Sequence, residues 1–289
     1  MASTSKLLRG VVPPVCTPFT ADYEVDEKSL RKLINHLIDG GVHGLFVLGS
    51  TSEVAYLTDK RRADVIRIAI DETKGRVPVV AGAIDMTTFR VNDHVRAAVE
   101  AGIDGIVLTA PFYVRTHPEE IALHFRLVKE ACGDVPLYAY DIPVAANGVK
   151  LETSTVLKLA KEGVIQGLKD SSGNDAGIRA VVLGAQKMGL KEFVVLTGSE
   201  LTVDSALMAG AHGVVPGIGN IDPAGYVRIF DYVAAGDHKA ARTEQERLTE
   251  MFGLVDVGAP SRMGRGSSAL GAFKASLKLL GIIEDGRTA

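Results

Sequence analysis

The chain has 289 residues, 46% of them hydrophobic and 23% charged, which is an ordinary globular composition and enough for one large barrel. Its formal net charge of −3, without any block of Lys and Arg, argues against a nucleic-acid partner. No apolar run could cross a bilayer, the first ten residues lack a signal-peptide core, and Cys16 and Cys132 have no metal-ligand spacing. We therefore expect a cytoplasmic protein with no membrane partner, no metal and no cofactor.

Short apolar segments alternate with amphipathic segments from the first residues to about residue 220. The predicted strands are 10–15, 44–48, 77–81, 105–108, 135–140, 164–169, 193–196 and 213–215. Helical patterns separate them, and the units are about thirty residues long. This pattern predicts a (βα)8 TIM barrel. An open doubly wound sheet is the alternative, and it is disfavoured because no strand runs into a GxGxxG turn.

The strand signals stop after Asp222. Residues 226–235, 239–252 and 268–280 have helical patterns, and a loop rich in Gly, Ser and Pro over 257–267 separates the last two. We therefore divide the chain into a barrel over residues 1–223 and a C-terminal helical extension over 224–289, packed on the barrel.

Lys169 ends the sixth predicted strand, where a polar loop begins. An ammonium in a buried strand is costly without a partner, and partial desolvation would lower its pKa and favour attack on a carbonyl. The alternative is a lysine that reaches solvent or pairs with Asp170. Lys74 and Lys191 precede strands, so we expect them at the other end of the barrel.

Other strand ends carry polar groups as well. Tyr138 and Tyr140 share one face of the fifth strand, and Tyr140 could relay protons near an amine, or could be a core tyrosine with a satisfied hydroxyl. Ser50 and Thr51 offer hydroxyls and backbone N–H groups that could hold a carboxylate, or could form a capped turn. A phosphate site at 217–220 would suit a sugar-phosphate isomerase, but glycines also serve plain turns, and no Glu or His ends a strand as a base.

Three segments resemble the signatures of the dihydrodipicolinate synthase/N-acetylneuraminate lyase family. Residues 49–53 read Gly-Ser-Thr-Ser-Glu, residues 140–143 read Tyr-Asp-Ile-Pro, and residues 167–170 read Gly-Leu-Lys-Asp. The resemblance runs in order over almost the whole chain. It implies a (βα)8 barrel, commonly homotetrameric, and a pyruvate-dependent class I aldolase or related lyase that needs no cofactor.

The same resemblance implies a role for each matching residue. Lys169 would form the Schiff base with pyruvate or another 2-oxo acid, Tyr140 would relay protons, and Tyr113 would reach a neighbouring subunit's site. The implied substrate-binding residues are Ser50, Thr51, Gly198, Glu200 and Val215, the last through its carbonyl.

Two departures from the family pattern bear on the substrate. The loop over 144–148 lacks the arginine that grips the second substrate in the synthases, although Arg115 could replace it. The strand-seven loop keeps one acid, Glu200, where sialic acid lyases have an acidic pair. We therefore expect a 2-keto-3-deoxy sugar acid aldolase or dehydratase, with Ser199, Glu200 and Asn220 as partners for the aldehyde. The alternatives are dihydrodipicolinate synthase, N-acetylneuraminate lyase and a non-catalytic sensor of 2-oxo acids.

Overall fold

The computed structural model describes residues 7–289. Eight parallel strands alternate with helices. The strands are β1 Gly10–Val11, β2 Leu45–Val47, β3 Val79–Gly82, β4 Gly105–Thr109, β5 Leu137–Asp141, β6 Gly167–Asp170, β7 Val194–Thr197 and β8 Gly213–Val214. The helices are α1 Glu27–Asp39, α2 Asp59–Thr73, α3 Thr88–Glu100, α4 Pro118–Cys132, α5 Thr153–Lys161, α6 Asp175–Lys187, α7 Val203–Met208, α8 Pro223–Ala234, α9 His238–Phe252 and α10 Arg265–Leu279.

From β2 to β8 each strand pairs with its neighbour in sequence, and β1 pairs with β8. The ring closes between the first two strands through a parallel bridge between Pro14 and Phe46, where the Val15 N–H donates to the Phe46 carbonyl at 2.8 Å. The predicted (βα)8 barrel is confirmed. None of the helices described within residues 7–289 is long and apolar enough to span a bilayer.

Several strands are shorter than their apolar runs predict, and β1 and β6 show why. β1 stops at Val11 because Pro13 and Pro14 have no N–H to give to a ladder. β6 begins at Gly167 rather than at Val164, whose N–H instead donates to the Leu159 carbonyl at 3.0 Å and closes the end of α5. The difference in β6 lies at its amino end, so its carboxyl end, which carries Lys169, falls within one residue of the predicted position, whereas β1 loses its carboxyl end.

The barrel has an inner and an outer set of side chains because successive residues of a strand point to opposite faces. The inner cluster is small and includes Phe46, Tyr138, Tyr140, Leu196 and Val215. The larger outer cluster lies between the strands and the helices. Tyr138 and Tyr140 therefore share the inward face, as predicted.

Helix α8 follows the last strand, and α9 and α10 continue as the C-terminal helices. Phe273 of α10 is buried, and a side chain at Gly217 would lie 2.9 Å from its ring, so α10 packs closely on the loop after β8. The division into residues 1–223 and 224–289 remains a proposal, since α8 contacts β1 as well as α9.

Candidate active site

Lys169 lies at the carboxyl end of β6 and points into the barrel. Its side chain is 6% exposed, and its Nζ lies 4.0 Å from the ring centroid of Tyr140 and 4.8 Å from that of Phe46. Cation–π attraction from two rings offsets part of the cost of burying an ammonium. Among residues 7–289, no carboxylate lies within ion-pair distance of this Nζ. Lys169 therefore neither reaches solvent nor pairs with Asp170.

Tyr140 is the direct partner of Lys169 across the β5–β6 pair. Burial would raise the pKa of its hydroxyl, but the charge of Lys169 and hydrogen bonding with Ser50, Lys169 and Ser171 hold that pKa below its usual value. Its ring meets Phe46 edge-on, with the centroids 6.2 Å apart. A phenol held this way beside an amine can give and take protons during carbonyl chemistry.

The turn after β2 presents Ser50 and Thr51 at the mouth of the barrel, where Ser50 is exposed and Thr51 is partly buried. The next residue holds the turn in place. The Ser52 hydroxyl donates to the Val15 carbonyl at 2.6 Å and accepts from the Gly49 N–H at 3.2 Å. The two hydroxyls that could bind a carboxylate are therefore carried by a fixed turn rather than by a free loop.

Glu53 ends this turn in a left-handed conformation, with φ of 60°, and its carboxylate is completely buried. It forms an ion pair with Lys274 of α10, which is also completely buried. Its Oε2 accepts from the Ala289 N–H at 2.6 Å, and the Lys274 Nζ donates to the Arg287 carbonyl at 2.9 Å. This pair joins the carboxylate-binding turn to the C-terminal helices.

A second buried charge cluster lies directly behind the site. Asp141 and Asp170 follow Tyr140 and Lys169 by one residue, so their side chains point outward, and both are buried. The Nζ of Lys150 binds Asp141 and lies 3.3 Å from Asp170 Oδ2. The Asp141 carboxylate also accepts from the Leu151 N–H at 3.1 Å. This cluster fixes the ends of β5 and β6 relative to each other.

The β7 side of the site carries Gly198 and Glu200. A side chain at Gly198 would lie 1.9 Å from Ser171 Oγ, so only glycine lets the strand end approach this closely. Glu200 Oε1 accepts from the Ile218 N–H at 2.6 Å, and burial raises the pKa of Glu200 to about 7 in spite of this bond. Val215 belongs to the inner cluster beside the site.

One expectation about the loop after β8 does not fit the structure. Asn220 is fully buried and cannot serve the aldehyde, because its side chain accepts from the Cys16 N–H and donates to the carbonyls of Pro14 and Gly217. Phosphate binding by this loop is disfavoured as well. The carboxylate of Glu200 already accepts from the Ile218 N–H, and it would repel an anion.

Tyr113 does not join the other site residues within one chain. It lies on the loop after β4 with 77% of its surface exposed, and Val114 beside it is 58% exposed. Arg115 on the same loop is also exposed.

Sequence reasoning missed Ser171 and Lys150. Ser171 could have been found, because it lies two residues after Lys169 and therefore on the same face of the extended chain. Lys150 gives no such signal, since it lies in a loop and meets Asp141 only in the folded chain.

A cavity of about 440 Å³ opens at this end of the barrel, between the loops after β2, β4 and β5 and the first turns of α10. Its lining includes Ser50, Thr109 and Ile142, and most of its walls are apolar. Ser50 lines this cavity and hydrogen-bonds Tyr140, which links the cavity to the phenol and to the amine beside it. The three together could form and hold an imine of a small 2-oxo acid.

Comparison with known proteins agrees with this geometry. The model of the dihydrodipicolinate synthetase family matches residues 7–272. A 4-hydroxy-tetrahydrodipicolinate synthase of Methanothermobacter thermautotrophicus is 35% identical over 250 residues, which cover 86% of this chain and 87% of the relative. An uncharacterized DapA-like lyase of Halobacterium salinarum is 31% identical over 287 residues, covering 98% of this chain and 91% of that protein.

Two solved structures share the whole architecture. The dihydrodipicolinate synthase of Bacteroides thetaiotaomicron superposes with a TM-score of 0.90 at 30% identity, over 98% of this chain and 92% of that one. YagE is a prophage protein of this family from Escherichia coli K12, solved in complex with pyruvate. It superposes with a TM-score of 0.89 at 28% identity, over 98% of this chain and 92% of that one. The chain therefore belongs to the dihydrodipicolinate synthase family, and it is a lyase of the class I aldolase type.

Proposed function

We propose that Lys169 forms an imine with pyruvate and that the chain makes or cleaves a carbon–carbon bond at pyruvate C3. The amine and the ketone would condense with loss of water, and loss of a C3 proton would give an enamine. The enamine carbon would attack an aldehyde, whose oxygen takes a proton relayed by Tyr140, and water would release the 4-hydroxy-2-oxo acid and the free lysine. Cleavage is the reverse of these steps. The buried amine beside Tyr140 and the pyruvate in the YagE structure support this proposal.

The aldehyde partner is uncharged in this proposal, and the product is a 2-keto-3-deoxy sugar acid. The observation that carries it is the charge of the cavity walls. The cavity-lining residues within the described range 7–289 include no Lys or Arg. Glu53 is the one charged residue among them, and it is paired with Lys274. Lys150, the cation nearest to the missing arginine in sequence, is bound to Asp141 and Asp170 on the outer face. A carboxylate on the aldehyde would enter this cavity without a partner.

A second candidate is 4-hydroxy-tetrahydrodipicolinate synthase, because the relative of 35% identity has that name. Aspartate semialdehyde, its second substrate, carries a carboxylate. The loss of a charge-assisted bond costs roughly 1.5–3 kcal/mol, so we expect that reaction to be about ten- to a hundredfold weaker than with the arginine present.

Borohydride reduction in the presence of pyruvate tests the imine. We expect one stable adduct on Lys169, no adduct in Lys169→Ala or Lys169→Arg, and normal labelling in Lys191→Ala, because a guanidinium stays protonated and cannot form the imine. An adduct on another lysine would overturn the assignment of Lys169.

Parallel kinetics then rank the substrates. A higher kcat/KM for aspartate semialdehyde with pyruvate than for 2-keto-3-deoxygluconate cleavage would establish the synthase instead.

We also propose that the active form is an oligomer, for which family members suggest a homotetramer. Tyr113, Val114 and Phe89 are large apolar side chains with 58–84% of their surface exposed in the single chain. A second copy would cover them and would bring Tyr113 to a neighbouring site. Light scattering of the wild type and of Val114→Glu tests this: a monomeric wild type, or a variant with unchanged mass, would contradict it.

A further inference from the structure

Thr109 ends β4 and points into the barrel, since Val107, two residues earlier on the same strand, belongs to the inner cluster. Thr109 lines the cavity, as Ser50 and Ile142 do. Strand register pairs Thr109 with Tyr140, and Tyr140 with Lys169. Thr109 therefore lies in the same row as the amine and the phenol, on the side of Tyr140 away from Lys169.

The Thr109 hydroxyl has no hydrogen-bond partner among residues 7–289, although the residue is only 4% exposed. The oxygen itself is fully buried, and a buried hydroxyl is normally satisfied by protein or by water, so this one, in a residue that lines the cavity, keeps its bonding capacity for a molecule that reaches it by a small shift of the side chain. Valine would fill the same volume without a polar atom. The hydroxyl therefore adds a hydrogen-bonding group to a cavity lining that is mostly apolar.

The distance along the row fits the length of a substrate. Neighbouring strands lie about 4.8 Å apart, so roughly 10 Å separates the main chains of β4 and β6 at this level. Pyruvate on Lys169 would occupy the β6 side of this span, and its C3 would point toward the remaining space. The aldehyde that joins C3 would then lie over Tyr140 and reach Thr109.

We propose that Thr109 is a specificity-determining residue that hydrogen-bonds a hydroxyl of the aldehyde part of the substrate. The inference rests on the proposed aldolase function and deepens it, because it names the substrate as a hydroxylated, uncharged aldehyde. The apolar walls formed by Val54, Ile84, Phe112 and Leu270 would enclose the carbon chain, and they limit the number of hydroxyls that the cavity can satisfy. A short aldehyde with few hydroxyl groups, such as glyceraldehyde, suits a cavity whose walls are mostly apolar.

The test compares glyceraldehyde with propanal, which has the same three carbons and no hydroxyl. Pyruvate condensation is measured with both in the wild type, Thr109→Val and Thr109→Ser. We expect Thr109→Val to lower kcat/KM for glyceraldehyde about 2- to 12-fold and to leave kcat/KM for propanal unchanged, because a net hydrogen bond has this size. Thr109→Ser keeps the hydroxyl and should keep the preference for glyceraldehyde.

Thr73→Val is the matched control, because Thr73 is also a buried threonine whose hydroxyl has no partner among residues 7–289, but it ends α2 away from the cavity. Thr73→Val should leave the preference for glyceraldehyde over propanal unchanged. The role of Thr109 is overturned if Thr109→Val lowers kcat/KM equally for both aldehydes, or if it leaves the ratio of the two kcat/KM values unchanged. If glyceraldehyde is not converted although pyruvate is trapped on Lys169, the hydroxylated aldehyde and this role are both wrong. Failure of pyruvate trapping itself overturns the proposed function instead.

Discussion

Asp141 and Asp170 lie opposite each other across β5 and β6, and each follows a proposed catalytic residue by one position. Two buried carboxylates this close repel each other, and the structure balances them with the single cation of Lys150. The outward face of these strands thus contains the charge cluster, while the inward face contains Tyr140 and Lys169. The geometry of the site depends on that cluster.

We expect Lys150→Met to lower the free energy of unfolding by at most about 3 kcal/mol, because it leaves two buried carboxylates without their cation while part of Lys150 remains in water. It should also lower kcat, since the ends of β5 and β6 would separate. Denaturant unfolding and steady-state kinetics measure both. Lys158→Met is the control, because its exposed pair with Glu119 should contribute less than about 1 kcal/mol. Equal effects of the two variants would contradict the prediction.

Tyr140→Phe should keep the fold and lose about 10²–10⁴-fold in kcat, the usual size of a lost proton relay. Tyr138→Phe is its control, because Tyr138 points into the barrel two residues earlier and its hydroxyl accepts from the Leu8 N–H at 3.1 Å. We expect that variant to keep most of its turnover. Turnover near the wild-type value in Tyr140→Phe would remove Tyr140 from the mechanism.

Glu53→Gln should destabilise the chain by about 3–5 kcal/mol, because it leaves Lys274 charged and buried without its partner. It should also raise KM for pyruvate, since Glu53 ends the turn that carries Ser50 and Thr51. Replacing both members, as Glu53→Gln with Lys274→Met, removes the buried charge and should recover part of the stability. A double-mutant cycle by denaturant unfolding checks this, and additive losses would show that the two residues do not act as a pair.

Glu200→Gln should change how stability depends on pH. Burial raises the pKa of Glu200 from 4.5 to about 7 in the folded chain, so the folded chain holds this proton more tightly than the unfolded chain does. The wild type should therefore lose stability relative to Glu200→Gln as the pH rises from about 5 to about 8, by at most about 3 kcal/mol. Denaturant unfolding of both proteins at the two pH values measures it. A difference that is the same at both values would show that the pKa of Glu200 is not raised.

The strands, the barrel and the positions of Lys169 and Tyr140 could be predicted from the sequence, because they follow from local patterns. A strand's apolar run gives its end, and the alternation of its side chains gives the face. The partners of Asp141 and Glu53, and the lack of one for the Thr109 hydroxyl among residues 7–289, could not be predicted in this way. Lys150 and Lys274 meet their carboxylates only in the folded chain, and the free hydroxyl of Thr109 becomes visible only when every neighbouring donor and acceptor has been placed.

The buried pair of Glu53 and Lys274 has a consequence for recombination between relatives. A chimaera that takes its barrel from one protein and its last helices from another inherits one member of this pair from each parent. If the parents place their buried charges differently, the hybrid contains a lone ion in an apolar interior, directly beneath the turn with Ser50 and Thr51. Crossover libraries of this family should therefore retain function mainly where both positions come from the same parent, even though the crossover point itself lies in an exposed loop.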